Sequence, residues 1–599
     1  KGRSRSPGGN LKLEAFAEPA PDAVPWKPVG LALTSAMLSG CGGGAGGTAA
    51  AVPTPVIPGS AISLNASTYS YPAPLSDEAA CRFLLQAQFS ASDAEIAAVR
   101  TQGYARWIEA QVATSSGIMG WDWLNAQGYG DVQNSKNYYD NTYPGDHMVW
   151  CQLMTQPDAA RKRMALALSE IFVVSLSGLS FNWRSHAAAH YWDTLATHAF
   201  GNYRDLLGAI TLNVAMGYYL NTKGNKKADG RGSQPDENYA REVMQLFSIG
   251  LVQLNQDGTP KTDGSGNKID TYSASDVSNL AQVFTGWDLD MRQNVNTSIA
   301  QTGGGTRTIP NTEFARLPLI QVGNNHSTLA STFLGLTIPA NTPAVDALNT
   351  ALDHLAAHPN TAPFICKQLI QRLVTSNPSP AYVQRVADVF DNNGAGVRGS
   401  LAHVYAAILL DDEARGPAGL TDVQFGRLRE PMLRLVQWGR TFGAASATGA
   451  WKIGDLSNAG TQLGQSPLRS PTVFNFFRPG YVPPATALSA GAVAPEFQLV
   501  NESSVGGYLN YLQGVISNGI SSGDIKATYA AELPLAADAN ALVARVQRLL
   551  CAGQLSAASL SLITNAVAAM PATTDAQKRN RVNATVLLVM ASADYLVQK

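Results

Sequence analysis

Acidic, amide and guanidinium side chains recur along residues 234–250, whose sequence is QPDENYAREVMQLFSIG. At about 100° per residue, one helical arc holds five of them: Glu237, Asn238, Arg241, Glu242 and Gln245. Glu237 and Arg241 are four residues apart, as are Asn238 and Glu242, so each pair can bond along a helix. The pattern favours a buried polar network that braces neighbouring helices. One wall of a binding or catalytic pocket and a plain solvated face are the alternatives.

A pocket on this face would have candidates both for acid–base chemistry and for ligand binding. Glu237, Glu242 and His326 are the catalytic candidates, because Glu and His side chains can transfer protons. His326 lies in a segment without helical signals, and loops often carry functional residues. A guanidinium can bind an anionic group. The binding candidates are Arg231, Asn238, Arg241 and Trp287.

A second spacing is compatible with a metal ion. His186, His190 and Asp193 lie at positions i, i+4 and i+7 of the segment HAAAHYWD, so one helical face could offer three ligands to zinc. We favour the alternative, in which these histidines are packed or exposed beside Trp183 and Trp192. No metal or other cofactor is predicted.

Several signatures of catalysis are absent from the sequence. It contains no Walker loop and no GxGxxG that opens a helix after a strand. Its five cysteines include no CxxC pair, so no structural zinc site is predicted. A disulfide is possible among four of them, but the sequence does not identify the pair: Cys81, Cys151, Cys366 and Cys551.

The charge balance argues against some classes of partner. The chain has 599 residues with a formal net charge of −1. Nucleic acid and acidic lipid surfaces are therefore not expected as partners through long-range attraction. A chain of this length exceeds one ordinary core, so two or three domains or one large helical assembly is expected.

The beginning of the sequence predicts export. Residues 29–39, VGLALTSAMLS, form an apolar run that is too short to span a bilayer and follows Lys27. The end of this run leads into LSGC, residues 38–41, which resembles the lipobox of bacterial lipoproteins. Cys41 is therefore a lipidation candidate. Residues 1–41 are thus interpreted as a leader and residues 42–75 as a flexible linker. The alternative is a disordered extension with a chance cysteine.

The remaining elements predict a mainly α protein, a large multi-helix assembly with long loops. Residues 76–515 are predicted to form the main helical domain, and residues 516–599 a C-terminal helical segment packed on it. Residues 254–272 contain two DG turns and a GN turn, which predict a small β-hairpin excursion. No transmembrane helix is predicted.

Nine segments, in the same order, resemble one bacterial family of unknown function, family DUF1800. They cover roughly residues 76–599: CRFLLQAQFS, RMALALSEIFVVS, AFGNYRDLL, PDENYAREVMQLFSIGL, VFTGW, HPNTAPFICKQLIQRLVTSNPSPAYVQRVADVF, GRLREPMLRL, LGQSPLRSPTVFNFFRPGY and ADYLVQK. The resemblance implies a mostly helical, commonly exported protein, often encoded beside a secreted sulfatase-like protein of family DUF1501. It implies no activity. The family often has a Lys where this chain has Ser331.

These observations lead to two hypotheses of function. The first is an exported cell-envelope protein, periplasmic or associated with the outer membrane, that binds surface polymers as an accessory to a sulfatase-like partner. Its membrane contact would be a lipid anchor only. The second is an extracellular hydrolase of polysaccharide that uses the Glu, Arg and His side chains named above, since paired carboxylates are the usual tool for glycosides.

Overall fold

The structure is a computed structural model that describes residues 61–301, 304–484, 486, 488 and 492–599. The predicted leader, its candidate lipidation site Cys41, and residues 42–60 of the predicted linker lie outside the described residues.

Helices dominate the described part of the chain, so the prediction of a mainly α fold is confirmed. Within those residues the α-helices are α1 (Asp77–Ala87), α2 (Asp93–Gln102), α3 (Tyr104–Ala113), α4 (Gly120–Ala126), α5 (Tyr143–Thr155), α6 (Ala159–Ser169), α7 (Arg184–His198), α8 (Tyr203–Thr211), α9 (Val214–Tyr219), α10 (Asn238–Gln245), α11 (Ala274–Val283), α12 (Ala344–Ala357), α13 (Thr361–Leu373), α14 (Pro380–Asp391), α15 (Leu401–Leu410), α16 (Asp412–Arg415), α17 (Ala418–Thr421), α18 (Pro431–Thr441), α19 (Glu502–Asn518), α20 (Ala539–Cys551), α21 (Ala557–Ala568), α22 (Asp575–Ala591) and α23 (Ala593–Leu596).

The strands are short and form five antiparallel pairs among the described residues. In chain order they are β1 (Trp287–Asp288), β2 (Asn296–Ala300), β3 (Thr306–Pro310), β4 (Ile320–Gln321), β5 (Ser331–Phe333), β6 (Leu336–Ile338), β7 (Arg427–Leu428), β8 (Ala445–Ser446), β9 (Ile525–Lys526) and β10 (Val597–Gln598). The pairs are β1–β4, β2–β3, β5–β6, β7–β10 and β8–β9. The excursion at residues 254–272 contains isolated bridges, Leu254 with Pro260 and Thr262 with Lys268.

Local sequence signals account for several helix starts. The Ser92 side chain accepts a hydrogen bond from the backbone N–H of Glu95, whose carboxylate accepts from the backbone N–H of Ser92. Ser273 and Asp276 form the same reciprocal cap at α11. Both capping boxes satisfy N–H groups that the first helical turn leaves unpaired.

One continuous hydrophobic cluster runs through the described chain, from Leu64 to Tyr595. The C-terminal helices join it: Gln437 of α18 donates from Nε2 to the backbone oxygen of Leu550 in α20, over 2.8 Å. In the pair β7–β10, Gln598 lies opposite Arg427. Residues 516–599 therefore complete the same core rather than forming a separate one.

The four cysteines of the described residues, Cys81, Cys151, Cys366 and Cys551, are buried free thiols. Within the same part of the chain, none of the helices combines the length and the apolar character needed to cross a membrane.

Candidate functional site

Helix α10 begins at Asn238, so it leaves out Pro235 and Asp236, two residues that favour a first helical turn. Asn225 accepts a hydrogen bond from the backbone N–H of Asp236 over 2.9 Å and donates to its carbonyl oxygen over 3.1 Å. This side chain holds residues 235–236 outside the helix, and Glu237 becomes the N-cap of α10. Helix α10 ends at Gln245 and a turn follows it, in which the N–H of Gly250 donates to the carbonyl oxygen of Met244 over 2.8 Å. Gly250 has φ +70, a left-handed conformation that glycine adopts without strain.

Of the two pairs expected along α10, the Glu237–Arg241 pair forms. Arg241 Nη2 lies 2.9 Å from Glu237 Oε2. Ser278 of α11 donates to the other oxygen of Glu237 over 2.6 Å. Both side chains of the ion pair are about one third exposed, so it orients Arg241 more than it stabilises the fold.

Glu242 has a different environment from Glu237. It is 8% exposed, and its Oε2 accepts no hydrogen bond from any described residue. Burial raises the pKa of Glu242 to about 7, and the positive charge of Arg241 opposes that rise. A carboxyl group that titrates near neutral pH can act as a proton donor or acceptor.

Glu242 and Arg241 line an open cleft of about 620 Å³, which we name the arginine cleft. One wall is α10, with Gln245 beside these two side chains. The facing wall is a stripe on α13 in which each residue is four positions after the last: Phe364, Gln368 and Arg372. The remaining lining comes from residues 250–254, from Glu170 and Ile171, and from the loop that contains Val473, Phe474, Arg478 and Pro479.

Behind the arginine cleft lies a buried network of charged side chains. Arg372 Nε is 2.7 Å from Glu170 Oε2, and these two side chains are 1% and 4% exposed. Arg427 Nη2 lies 2.8 Å from Glu496 Oε1 and also pairs with Glu430. Arg427 Nη1 donates to the carbonyl oxygen of Arg372 over 2.6 Å. The network thereby joins α13 to the start of α18 through charge-assisted hydrogen bonds.

Glu170 and Glu430 are neighbouring carboxyl groups in this network, and their surroundings push their pKa values apart. Burial, followed by the negative charge of Glu430, raises the pKa of Glu170 well above its usual range. Burial alone would also raise the pKa of Glu430, but the positive charge of Arg427 and the interaction with Glu170 hold it at about 2. Two buried carboxyl groups this close titrate as a coupled pair.

A second cavity of about 790 Å³ adjoins the arginine cleft. The two share four lining residues, Leu254, Phe364, Gln368 and Pro479. We name this second cavity the acidic cleft, because Asp412, Glu413 and Asp422 line it against the single cation Lys367. The two clefts together, which we name the groove, lie side by side, one with a basic lining and the other with an acidic lining.

The other residues singled out from the sequence lie away from the lining of the groove. His326 is half-buried and packs on Gly286, and its Nδ1 lies 3.1 Å from the carbonyl oxygen of Thr285. Its cavity measures about 10 Å³, which leaves no room for a ligand. Burial lowers the pKa of His326. The side chain of Trp287 is buried in β1, and Arg231 and Asn238 are exposed.

The predicted shared pocket therefore brings together Arg241 and Glu242 but not Glu237, His326, Arg231, Asn238 or Trp287. Between Asn238 and Glu242, the structure shows no hydrogen bond. The reason is local: Asn238 stands in the first turn of α10 on its exposed side, while Glu242 turns toward α13.

The three metal candidates of the sequence have other roles in the fold. Asp193 accepts hydrogen bonds from the backbone N–H groups of Gly120, over 2.7 Å, and Trp121, over 2.8 Å, at the start of α4. His186 packs edge-on against Trp121 and Trp183, and burial lowers its pKa to about 3. Burial also lowers the pKa of His190, to about 4. Across the described ranges, no three His, Cys, Asp or Glu side chains are grouped as metal ligands.

Sequence reasoning missed Glu170, Gln368, Arg372 and Arg478. A signal for two of them was present: Glu170 interrupts the apolar segment MALALSEIFVVS, and Arg372 lies near the end of the helical segment FICKQLIQRL. Charged residues inside apolar helical segments are rarely buried without a partner. The two charges of opposite sign therefore indicated that these distant segments could pair in the interior.

Comparison with known proteins adds one finding. The family described as "Protein of unknown function (DUF1800)" matches residues 82–597 of the chain. No curated protein and no solved structure matches it. The matched range includes every residue named in the groove and in the buried network.

Proposed function

We propose, from the premise that this chain belongs to the DUF1800 family of unknown function, that it is an exported cell-envelope protein that binds surface polymers. In this proposal it acts as an accessory to a secreted sulfatase-like partner of family DUF1501. The groove is the place at which the polymer binds.

The adjacency of the two clefts is the observation that carries this proposal. Each cleft has a volume within the range of about 300–1,000 Å³ that small ligands occupy. The clefts share four lining residues, so a ligand that reached both would have to be longer than a single small molecule. Half-exposed rings of Phe364 and Phe474 offer flat apolar surfaces, and Gln245 and Gln368 offer amide groups beside them. That mixture suits the apolar faces and hydroxyl edges of sugars.

Blocking the groove tests the proposal. Gly480 lines the acidic cleft, is exposed, and has open space where a side chain would begin. We expect Gly480→Trp to fold normally and to lose retention on soluble polysaccharides in affinity electrophoresis. Gly506→Trp is the matched control, because Gly506 is also exposed with open space around it but lies on α19, outside the lining. Equal retention of both variants would remove the groove as the binding site.

Export and partnership need separate measurements. Mass spectrometry of the mature N-terminus should find Cys41 as a lipidated first residue; an unmodified peptide that runs through Cys41 rules lipidation out. The sulfatase-like protein should co-purify with this chain from the native envelope. Failure of both co-purification and polymer retention would remove the accessory role.

A second candidate function, hydrolysis of extracellular polysaccharide, is favoured by Glu242. Its carboxyl group lines a solvent-connected cleft, and its pKa of about 7 is suited to proton transfer. A partner carboxyl is present in Glu170, which lines the same cleft. The binding of polymer and its hydrolysis would then share one site.

The variant Glu242→Gln separates the two functions. If the protein is a hydrolase, this variant should retain polymer and lose reducing-end release by roughly a hundredfold or more, the usual loss for a general acid or base. Glu502→Gln, which removes an exposed carboxylate of α19 outside the lining, should hydrolyse polymer at the unaltered rate. Retention without any product from the unmodified protein would exclude hydrolysis and leave the accessory role.

A further inference from the structure

Six buried polar atoms of residues in the arginine cleft have no hydrogen-bond partner among the described residues: Oε1 and Oε2 of Glu170, Oε2 of Glu242, Nε2 of Gln368, and Nε and Nη1 of Arg372. Glu170 and Arg372 form an ion pair through Oε2 and Nε, and Glu170 also lies against Glu430 in the buried network. The atoms that remain outside these pairs are Oε2 of Glu242, Nε2 of Gln368 and Nη1 of Arg372. The three side chains are 8%, 7% and 1% exposed. An unpaired buried polar atom costs roughly 1–3 kcal/mol, so such atoms are seldom left without a use. Three of them around one cavity indicate a set of groups that a ligand satisfies.

The character of these atoms favours an acceptor-rich ligand. Gln368 Nε2 and Arg372 Nη1 can only donate hydrogen bonds. Glu242 also donates when it carries its proton. The floor of the cleft therefore offers donors, and a ligand group with several oxygen acceptors would match them.

The buried network adds a net positive charge behind the floor. Arg163, Arg372 and Arg427 are its cations, and the Nη2 of Arg163 donates to the carbonyl oxygen of Arg372. Glu170, Glu430 and Glu496 are its carboxyls, and burial together with the charge of Glu430 raises the pKa of Glu170 well above its usual range. A raised pKa weakens the negative charge of Glu170, so positive charge is in excess around its ion-pair partner Arg372. Arg372 lines the arginine cleft, so it places this positive charge at the cavity.

The rim of the arginine cleft also carries positively charged side chains. Arg478 is exposed, and its guanidinium lies 5.1 Å from the centre of the Phe474 ring. Its side chain makes no ion pair in the described chain. Arg241 stands on the opposite wall, where Glu237 neutralises it in part.

We infer that the arginine cleft binds an acid group of the polymer, a carboxylate or a sulfate ester, so that the ligand of the groove is an anionic polysaccharide. The inference rests on the proposed function and names its substrate class. The acid group accepts hydrogen bonds from Arg372 and Gln368 at the floor, and Arg478 closes over it from the rim. The neighbouring sugar units continue toward the acidic cleft.

A charge series of polymers tests this inference on the full protein. Polygalacturonate carries carboxylates, dextran sulfate carries sulfate esters, and dextran carries neither. We expect one or both anionic polymers to bind in isothermal titration calorimetry, more weakly as ionic strength rises, and dextran to bind at least tenfold more weakly. The stronger of the two anionic polymers identifies the acid group.

Two variants place the acid group in the cleft. Arg478→Gln should lower affinity for the anionic polymer roughly threefold to tenfold, as for the loss of a hydrogen bond to a charged group. Arg579→Gln removes an exposed arginine of α22 outside the groove and should leave affinity unchanged. Gln368→Glu should lower affinity further, because it places a negative charge at the floor. Thermal unfolding verifies that each variant is folded.

The possible failures are distinguishable. Equal binding of dextran and the anionic polymers overturns the inference and leaves the proposed polymer binding intact. Binding of none of the three polymers overturns both. If Arg478→Gln and Arg579→Gln bind alike, the acid group lies outside the arginine cleft. Should Gln368→Glu fail to fold, the comparison of the two arginine variants decides alone.

Discussion

Glu242 and Glu237 show how five positions along one helix change the chemistry of a carboxyl group. Glu237 is one third exposed, pairs with Arg241 and accepts from Ser278, so its charge is well stabilised. Glu242 is buried, and one of its oxygens is unpaired. The arrangement gives the cleft a group that is partly protonated at neutral pH.

The pH dependence of stability should report this difference. Because burial raises the folded-state pKa of Glu242 to about 7 from 4.5, the folded protein retains a proton that the unfolded chain has released. Unfolding therefore becomes easier as pH rises between those two values. Relative to Glu242→Gln, the unmodified protein should lose about 2–3 kcal/mol of unfolding free energy from about pH 5 to about pH 8.

Urea unfolding of both proteins across this pH range measures the effect. Taking the difference between the two removes the titration of Glu170, which is common to both. Glu237→Gln is the control and should show no such pH step relative to the unmodified chain. A difference that stays constant with pH would show that Glu242 is ionised throughout, and the acid–base role would then be lost.

At the same scale, the sequence predicted a polar face on α10 and not the partners of that face. Arg241 and Glu242 were identifiable because they share an arc with other polar residues. Glu170 and Arg372 were recognisable as charged residues in apolar segments, but their place in the cleft was not predictable, because only packing brings these distant segments together. His326 lies outside the lining of the arginine cleft. The sequence of a loop does not indicate which cavity its histidine will face.

Among the elements, the contact between the end of α10 and the start of α13 sets the width of the arginine cleft. Gly250 follows α10, and a Cβ at this position would lie 2.5 Å from Cε2 of Phe364. Phe364 begins the stripe of α13 that lines the cleft. A glycine here serves both the left-handed turn and the close approach of the ring.

We expect Gly250→Ala to destabilise the protein by about 2–4 kcal/mol, the sum of left-handed strain and overpacking. Gly335→Ala separates the two causes. Gly335 has φ +77 and open space around it, so its variant carries strain alone and should lose only about 1–2 kcal/mol. Thermal or urea unfolding measures both. If both variants lost the same unfolding free energy, Phe364 would move aside at little cost, and this wall of the cleft would be easily deformed.

Helix boundaries illustrate what a sequence pattern omits. Residues 235–236 carry good signals for a first turn, yet the structure keeps them outside α10. Their backbone groups bond to the side chain of Asn225, a residue from the preceding loop. A competing hydrogen bond from elsewhere in the chain cannot be read from local propensity. The capping boxes at α2 and α11 were predictable because both of their members are local.

For the whole molecule, the mainly α class and the family were predictable, and the single core was not. Helical periodicity is a local property, whereas the joining of residues 516–599 to α1 and α18 depends on contacts between distant segments. The four buried cysteines belong to this shared interior. Burial raises the pKa of Cys151 and Cys551 to about 11 each, which keeps both thiols protonated.

The folded protein should therefore resist thiol reagents. We expect no labelling of Cys81, Cys151, Cys366 or Cys551 by a maleimide at neutral pH, because the thiolate is the reactive form. All four should label in guanidinium chloride, with peptide mapping to assign each site. The melting temperature should be the same with and without a reducing agent. A fall on reduction would reveal a disulfide and contradict the free-thiol arrangement.

The pairing of β7 with β10 also constrains how the protein is made. Arg429 donates to the carbonyl oxygen of Tyr595 over 2.7 Å, a contact between residues 166 positions apart. While a ribosome is still adding the residues before 595, the strand that contains Arg427 has no neighbour to pair with. The charged interior beside it can therefore assemble fully only after those residues have been synthesised. We expect nascent chains of intermediate length to stay sensitive to protease, and chains released after residue 599 to become resistant.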